Sequence, residues 1–317
     1  MAKPEIKTLL EAVRYFSDPD RCLEYLIAQR WPDGKVTCPT CGSHEVHFIA
    51  TRRVWRCKAK HPRQQFSIKI GTIFEDSPLG FDKWLPAIWL ITSARNGISS
   101  YELHRSLGVS QKSAWFMLHR IRLAMRTNSF EKMSGQVEVD ETFIGGKARF
   151  QHEAKRKHLG RGSVGKAAVM GLLERTSPER HSVVRAKVVE NVRRKTLAPE
   201  VRANVSAGVQ VFTDALASYA DLDSDYVHQV INHAVTYVEG NVHTNGIENF
   251  WSLLKRSLRG TYVSVEPFHL FRYLDEQALR FNTREEGDGE RFEKVLGQVS
   301  GRRLTYRDLT GQTVIPC

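Results

Sequence analysis

The sequence predicts a multidomain protein: a small cysteine-bearing ribbon, then a helical region, then a mixed α/β domain. Three observations carry this expectation. A Cys-x2-Cys pair, Cys38 and Cys41, is followed by Cys57 across an alternating stretch. Residues 99–125 show helical periodicity interrupted at a glycine. From residue 136 the pattern turns to short alternating apolar runs with helical runs between them, the order of a mixed sheet with crossovers.

The chain has 317 residues, enough for two or three domains. Its 47 Lys and Arg exceed its 35 Asp and Glu, giving a net charge of +12. That surplus favours a polyanionic partner, nucleic acid before membrane. The opening MAKPEIKTLLEAVRYF has no apolar signal core, and the most apolar stretch, FDKWLPAIWLI, is too short to span a bilayer. A soluble, cytoplasmic protein is expected. Five cysteines without a signal argue against a disulfide framework. Cys22 sits among apolar residues as a core thiol.

Residues 1–34 are expected to be helical, followed by the ribbon at 35–76. CPTCGS places Cys38 and Cys41 in a tight turn that lets two thiolates grip one tetrahedral Zn²⁺. The stretch VHFIATRRVWRC alternates like a hairpin and delivers Cys57, with His61 four residues on as the fourth ligand. His44 and His47 lie close enough in sequence to compete. Four protein ligands leave no open position, so the zinc is expected to be structural. Arg52, Arg53, Arg56, Lys58, Lys60 and Arg63 crowd the ribbon, where phosphate contact is expected.

Residues 77–130 are expected to read DNA. Asp82 is expected to cap a helix that ends near Asn96-Gly97. Then comes helix, turn at Gly108-Val109-Ser110, helix. Ser110 caps the second helix, and Gln111, Lys112 and Ser113 project from its N-terminal end, where recognition helices meet bases. A plain helical hairpin is the alternative.

The α/β domain is expected over 131–284, with 285–317 as a C-terminal tail. QVEVDETFIGG alternates as a strand, with Glu138, Asp140 and Thr142 on one face and Val137, Val139 and Glu141 on the other. KAAVMGLLERT and HSVVRAKVVENV are two further strands, RKTLAPEVRANV is a helix, and GVQVFTD is a strand ending in Asp214. The basic segment 147–166 between the first two strands is a long loop, suited to phosphate contact or solvent. In HTNGIENFWSLLKRSLRG, Ile247, Phe250, Trp251, Leu254 and Leu258 form a core-facing stripe. Glu248, Ser252, Lys255 and Arg259 take the other side. Glu248 complements the helix N-terminus in any case. Together with Asp140 and Asp214, it also makes a set of three acids able to hold two Mg²⁺ (or Mn²⁺) ions for phosphodiester chemistry.

VEVDETFIGGK, VFTDALASY and residues 243–284 resemble the catalytic blocks of bacterial insertion-sequence transposases of the ISXO type. CPTCGS, QFSIKIGTIFEDSPLGFDKWLPAIWL and the helix-turn-helix resemble the same group, so the likeness spans about residues 15 to 310. The resemblance implies a DDE enzyme with an RNase H-like, retroviral-integrase-like catalytic domain. Asp140, Asp214 and Glu248 would bind the catalytic metals, with Asn245 as the alternative third ligand. Lys255 would hold phosphate beside the site, with Arg256 and Arg259 following the DNA. At His61 many relatives show a second Cys-x2-Cys corner instead. The activity implied is binding of terminal inverted repeats, 3′-end nicking and joining to target DNA, by a homo-oligomer on the bacterial nucleoid. An RNase H-like nuclease without joining and a non-catalytic DNA-binding regulator are the rival functions.

Overall fold

The computed structural model describes residues 4–127, 131–145, 165–214, 219, 222–231 and 243–311. The basic segment 147–166 falls almost wholly outside them, as does Cys317. The chain divides into two compact units, residues 1–125 with 285–317, and residues 126–284.

The first unit opens with α1 (Leu9–Phe16) and α2 (Pro19–Arg30). Thr8 and Glu11 form a reciprocal capping box on α1, and Asp18 caps α2 ahead of its first-turn proline. The ribbon follows as β1 (Val46–Ile49), β2 (Val54–Cys57) and β3 (Gln65–Phe66), an antiparallel sheet in that order. Its apolar interior is little more than Trp55, packed against Trp31, Phe48 and Phe66 with ring centroids 5.0 to 5.9 Å away. So few buried side chains do not hold a ribbon without further help.

Three helices come next: α3 (Phe81–Ser93), α4 (Ser100–Leu107) and α5 (Gln111–Met125). Asp82 does not cap α3. Gly80 is the capping residue, Asp82 lies in the first turn, and the helix ends at Ser93 rather than near Asn96-Gly97. A first-turn carboxylate still favours the helix through the dipole. Ser99 and Glu102 form a capping box on α4, and Gly108 ends it at φ 65°, a left-handed conformation that favours glycine. Ser110 Oγ accepts the Ser113 N–H at 3.1 Å, as expected for the α5 cap.

Helix α5 is buried on more than one stripe. Besides Ala114, Leu118, Ile121 and Met125 it buries His119, Arg120 and Arg122. Arg120 donates to the carbonyls of Ile73, Glu75 and Leu304 at 2.7 to 3.1 Å and lies over the Phe116 ring.

Residues 285–317, expected as a tail, belong to this unit. They carry α9 (Asp288–Gly297) and the short α10 (Tyr306–Leu309), numbered after the two helices that close the second unit. Phe292 of α9 is fully buried against Phe16, Tyr25 and Trp89. The apolar face of α9 has to be covered, and α3 covers it.

The second unit is built on a five-stranded sheet: β4 (Val137–Ile144), β5 (Ala167–Glu174), β6 (Val183–Val189), β7 (Gln210–Asp214) and β8 (Val227–Ile231). Their order is β6-β5-β4-β7-β8. The first three pair antiparallel, and β7 and β8 add in parallel. β8 was not expected from its sequence, in which His228 and Gln229 break the apolar run.

Between β6 and β7 runs α6 (Arg194–Asn204), and α7 (Asn245–Gly260) and α8 (Leu270–Asn282) end the unit. Alternation along β5 gives the sheet two apolar faces, Ala168, Met170 and Leu172 on one and Val169 and Leu173 on the other. Val137 and Val139 join Leu197, Ala198 and Val201 of α6 in one core cluster. The other cluster gathers Val169, Leu173 and Val184 with the whole α7 stripe, Ile247, Phe250, Trp251, Leu254 and Leu258. No helix among the described residues is long and apolar enough to cross a membrane.

Candidate active site and zinc centre

In the ribbon, single ligand atoms of Cys38, Cys41, Cys57 and His61 all lie within 4.8 Å of one another. Cys38 Sγ is 3.5 Å from His61 Nε2, and Cys41 Sγ is 3.6 Å from Cys57 Sγ. The turn that holds the first pair is closed by the Gly42 N–H donating to the Cys38 carbonyl, with Gly42 at φ 74°. His61 Nδ1 is 2.7 Å from the Pro62 carbonyl, which fixes the ring with Nε2 facing the thiols. Burial raises the Cys38 thiol, but the N–H groups of Cys41 and Thr40 and the neighbouring thiols bring it down to about 7. Burial first, then the Cys41 and Cys38 thiols, push Cys57 up. Three thiols and an imidazole crowded this closely fit one tetrahedral zinc with no open position. His44 is engaged elsewhere, with Nδ1 3.2 Å from Thr37 Oγ1.

The acids come together through strand register. The parallel pairing of β4 and β7 matches Val139 with Thr213, which sets Asp140 beside Asp214 one step further on. Carboxylate oxygens of Asp140, Glu141 and Asp214 lie within 4.8 Å of one another. Asp140 and Glu141 alternate to opposite faces of β4, yet both carboxylates come close to Asp214, the last residue of β7.

Asp140 Oδ2 accepts the indole Nε1–H of Trp251 at 2.9 Å. Gly171, directly across from Asp140 on β5, makes room for that ring. A Cβ there would lie 2.6 Å from the indole.

Burial, reinforced by the charges of Asp214 and Glu248, raises Asp140 to about 6 against the Glu141 backbone N–H and Trp251 bonds that lower it. Burial and the charges of Asp214 and Asp140 raise Glu141 to about 8, and the Tyr219 hydroxyl beside it offsets only part. The Tyr219 hydroxyl is itself buried and pushed up. Acids that raise one another in this way are poised for a cation, which would replace their mutual repulsion with attraction.

Glu248 lies in the first turn of α7 and is exposed. Its charge reaches Asp140, but it is outside the group of three close carboxylates, and its Oε1 accepts from Thr244 Oγ1 at 3.1 Å. Asn245, the first residue of α7, is exposed. Lys255 is half-buried further along the helix, and Arg256 and Arg259 are exposed.

Glu141 is the site residue the sequence did not mark. Alternation assigned it to the opposite face. The available signal was the adjacent pair Asp140-Glu141 in an otherwise apolar strand.

At the start of α5, Gln111 Nε2 donates to Ser100 Oγ at 2.9 Å. Lys112 is exposed and lies over the Tyr306 ring, 4.8 Å from its centroid. Ser113 is tied to Ser110.

Residues 132–282 match the family model described as ISXO2-like transposase domain, and residues 17–59 match the transposase zinc-ribbon domain. An uncharacterized transposase-like protein of Haemophilus influenzae is 39% identical over 99 residues, covering 31% of this chain and 80% of that protein. The chain belongs to the ISXO2-like insertion-sequence transposases.

An uncharacterized protein in transposable element ISH50 of Halobacterium salinarum is 29% identical to this transposase over 280 residues, 84% of this chain and 92% of that protein. The transposase-domain match contains Asp140, Glu141, Asp214, Asn245 and Glu248, together with the strands and helix that carry them. The ribbon match holds the three cysteines and stops before His61, which the fold adds as the fourth member of the cluster.

Proposed function

We propose that this transposase binds the terminal inverted repeats of its element, nicks their 3′ ends and joins them to target DNA. The observation that carries the proposal is the β4–β7 register, which sets Asp140 beside Asp214 with Glu141 in reach. The strand order supports an RNase H-like reading of the domain: three antiparallel strands extended by two parallel ones, with both acids on the central adjacent pair.

Asp140 and Asp214 would hold Mg²⁺ or Mn²⁺, with Glu248 or Asn245 supplying the third donor from α7. A divalent cation held there would activate the attacking oxygen and stabilise the leaving one. Trp251 orients Asp140 through its indole N–H and keeps one carboxylate oxygen occupied, leaving the other for the site. Lys255, Arg256 and Arg259 form a basic run along α7 suited to the phosphates leading into it. Nicking is in-line attack by water on a phosphodiester, which releases a 3′-hydroxyl. Joining is attack by that hydroxyl on the target strand, which displaces a target 3′-oxygen.

In the first unit, α4 and α5 are proposed to read the repeats as a helix-turn-helix. Lys112 is the most accessible of the candidate readers. Gln111 would exchange its bond to Ser100 for a base. The exposed Arg52, Arg56, Lys58, Lys60 and Arg63 of the ribbon suit phosphate. The enzyme would work as a homo-oligomer on cytoplasmic, nucleoid DNA.

The test is to incubate the purified full chain and Mg²⁺ with labelled duplex carrying the element's ends. Nicked and joined products are expected, and both should vanish in Asp140→Asn. Nicks without joining would point to a nuclease instead. Repeat binding with no cleavage by the intact protein would point to a regulator. Glu248→Gln should abolish both steps while Asn245→Ala reduces them less. The reverse order would move the third ligand to Asn245.

A further inference from the structure

The N-terminus of α7 is fastened from the sheet, not by its own cap. Thr244 precedes the helix and is a residue type that ordinarily accepts a first-turn N–H, yet it makes no such bond. The Ile247 N–H, one of the donors a helix start leaves without an internal partner, goes instead to Glu138 Oε2 at 2.9 Å. Glu138 is on β4, two residues before Asp140, and is 1% exposed. Its Oε1 accepts from Arg175 Nε at 2.8 Å.

Arg175 reaches further. Its guanidinium donates to His243 Nδ1 at 3.1 Å and to the His243 carbonyl. It also lies 3.9 Å from the centroid of Phe212, two residues before Asp214. The pair of buried Glu138 and half-buried Arg175 therefore touches both acid-bearing strands and the head of α7. Gly246 completes the contact. A Cβ there would sit 2.9 Å from Glu138 Oε2 and 3.0 Å from Leu173 Cδ2, so the helix approaches this closely only without a side chain.

We propose that Glu138, braced by Arg175, is a positioning residue that sets α7, and with it Asn245 and Glu248, against Asp140 and Asp214. The proposal rests on the active-site reading above. Glu138 and Asp140 share one face of one strand, so the same stretch of backbone anchors the helix and carries the first acid. A carboxylate suits the place because it meets the Ile247 N–H and complements the helix dipole at once. Arg175 supplies the partner without which a buried charge is costly.

The test uses the full chain with Glu138→Gln, Gly246→Ala and Asp140→Asn. Glutamine offers an N–H where Glu138 now accepts on both oxygens, and the alanine methyl pushes the first turn away without changing any charge. In both, amide exchange should quicken in residues 245–250 while β5 stays protected as in the wild type. Single-turnover nicking at saturating DNA should fall roughly 10- to 100-fold, the range for residues that orient a metal site's donors, with DNA affinity unchanged. If Glu138→Gln loosens the whole unit, Gly246→Ala decides. Wild-type exchange at residues 245–250, or wild-type nicking, in a folded Gly246→Ala would overturn the proposal. Asp140→Asn separates the two readings. If it nicks like the wild type, the active-site reading fails, while the exchange measurements still judge the fastening of α7.

Discussion

Gly171→Ala sets two opposed effects of known size against each other. Gly171 is in the middle of β5, in extended backbone that alanine adopts freely. Restricting the unfolded chain should therefore stabilise the alanine variant by about 0.4–1 kcal/mol. Against this, the new methyl would lie 2.6 and 2.7 Å from two indole carbons of Trp251 and 2.8 Å from Ile247 Cδ1. Both side chains are buried, and the indole is held by its bond to Asp140, so neither has an easy way to move. Overpacking of this kind costs about 1–3 kcal/mol, and three short contacts on anchored groups place it toward the upper end.

The net expectation is a loss of about 2 kcal/mol. In a domain of this size that lowers Tm by roughly 4–8 °C. Differential scanning calorimetry of the full chain should show the fall in the transition of residues 126–284 alone. Trp251→Phe removes the second ring, so the double variant should recover part of the loss, with a coupling of at least ~0.5 kcal/mol. A Gly171→Ala protein as stable as the wild type, or more so, would refute the close packing of α7 on β5 across from Asp140.

Zinc analysis of the purified chain should find one Zn²⁺ per molecule. Cys41→Ser should lose the metal and unfold the β1–β3 ribbon, while His44→Ala and His47→Ala keep it. Full zinc occupancy in Cys41→Ser would be incompatible with the cluster. The buried acids give the second unit a distinctive pH dependence. Asp140 and Glu141 are raised to about 6 and about 8, so the folded chain holds protons that the unfolded chain releases above about pH 4. Their contribution is fully present below that point and is lost as pH rises through the folded values. In zinc-loaded protein free of Mg²⁺, Glu141→Gln should therefore grow more stable than the wild type between about pH 5 and 8. The gain should be on the order of a few kcal/mol, and Mg²⁺ should shrink it. Chemical denaturation at each pH measures this, and a pH-independent difference would count against a buried, ionising Glu141. Phe292→Ala should cost about 3–5 kcal/mol in the transition of the first unit, since its ring is fully buried against Phe16, Tyr25 and Trp89. A surface-like loss below about 0.5 kcal/mol would mean that α9 does not belong to that core.

The features legible in the sequence are those fixed within a few residues of themselves. The Cys38–Cys41 turn, the Ser110 cap and the break at Gly108 depend on backbone geometry that neighbouring side chains impose. The alternation of β4 and the five-residue stripe of α7 were also plain, because a side chain's face follows from its period. The pairing of Asp140 with Asp214 was expected only as a convergence. The β4–β7 register makes it a specific one.

Tertiary structure alone decided the rest. Glu141 enters the acid group because Asp214, at the end of β7, lies within reach of both neighbouring β4 carboxylates, a fact about a neighbouring strand that alternation along β4 does not contain. Asp82 gives way to Gly80 because α3 begins one residue before it. Residues 285–311 join the first unit because the apolar face of α9 meets α3 across some two hundred residues of chain. The head of α7 is held by Glu138 on β4 and Arg175 after β5, more than sixty residues away. Local spacing chooses the elements and the chemistry each carries, but burial and strand register choose which of those groups can touch.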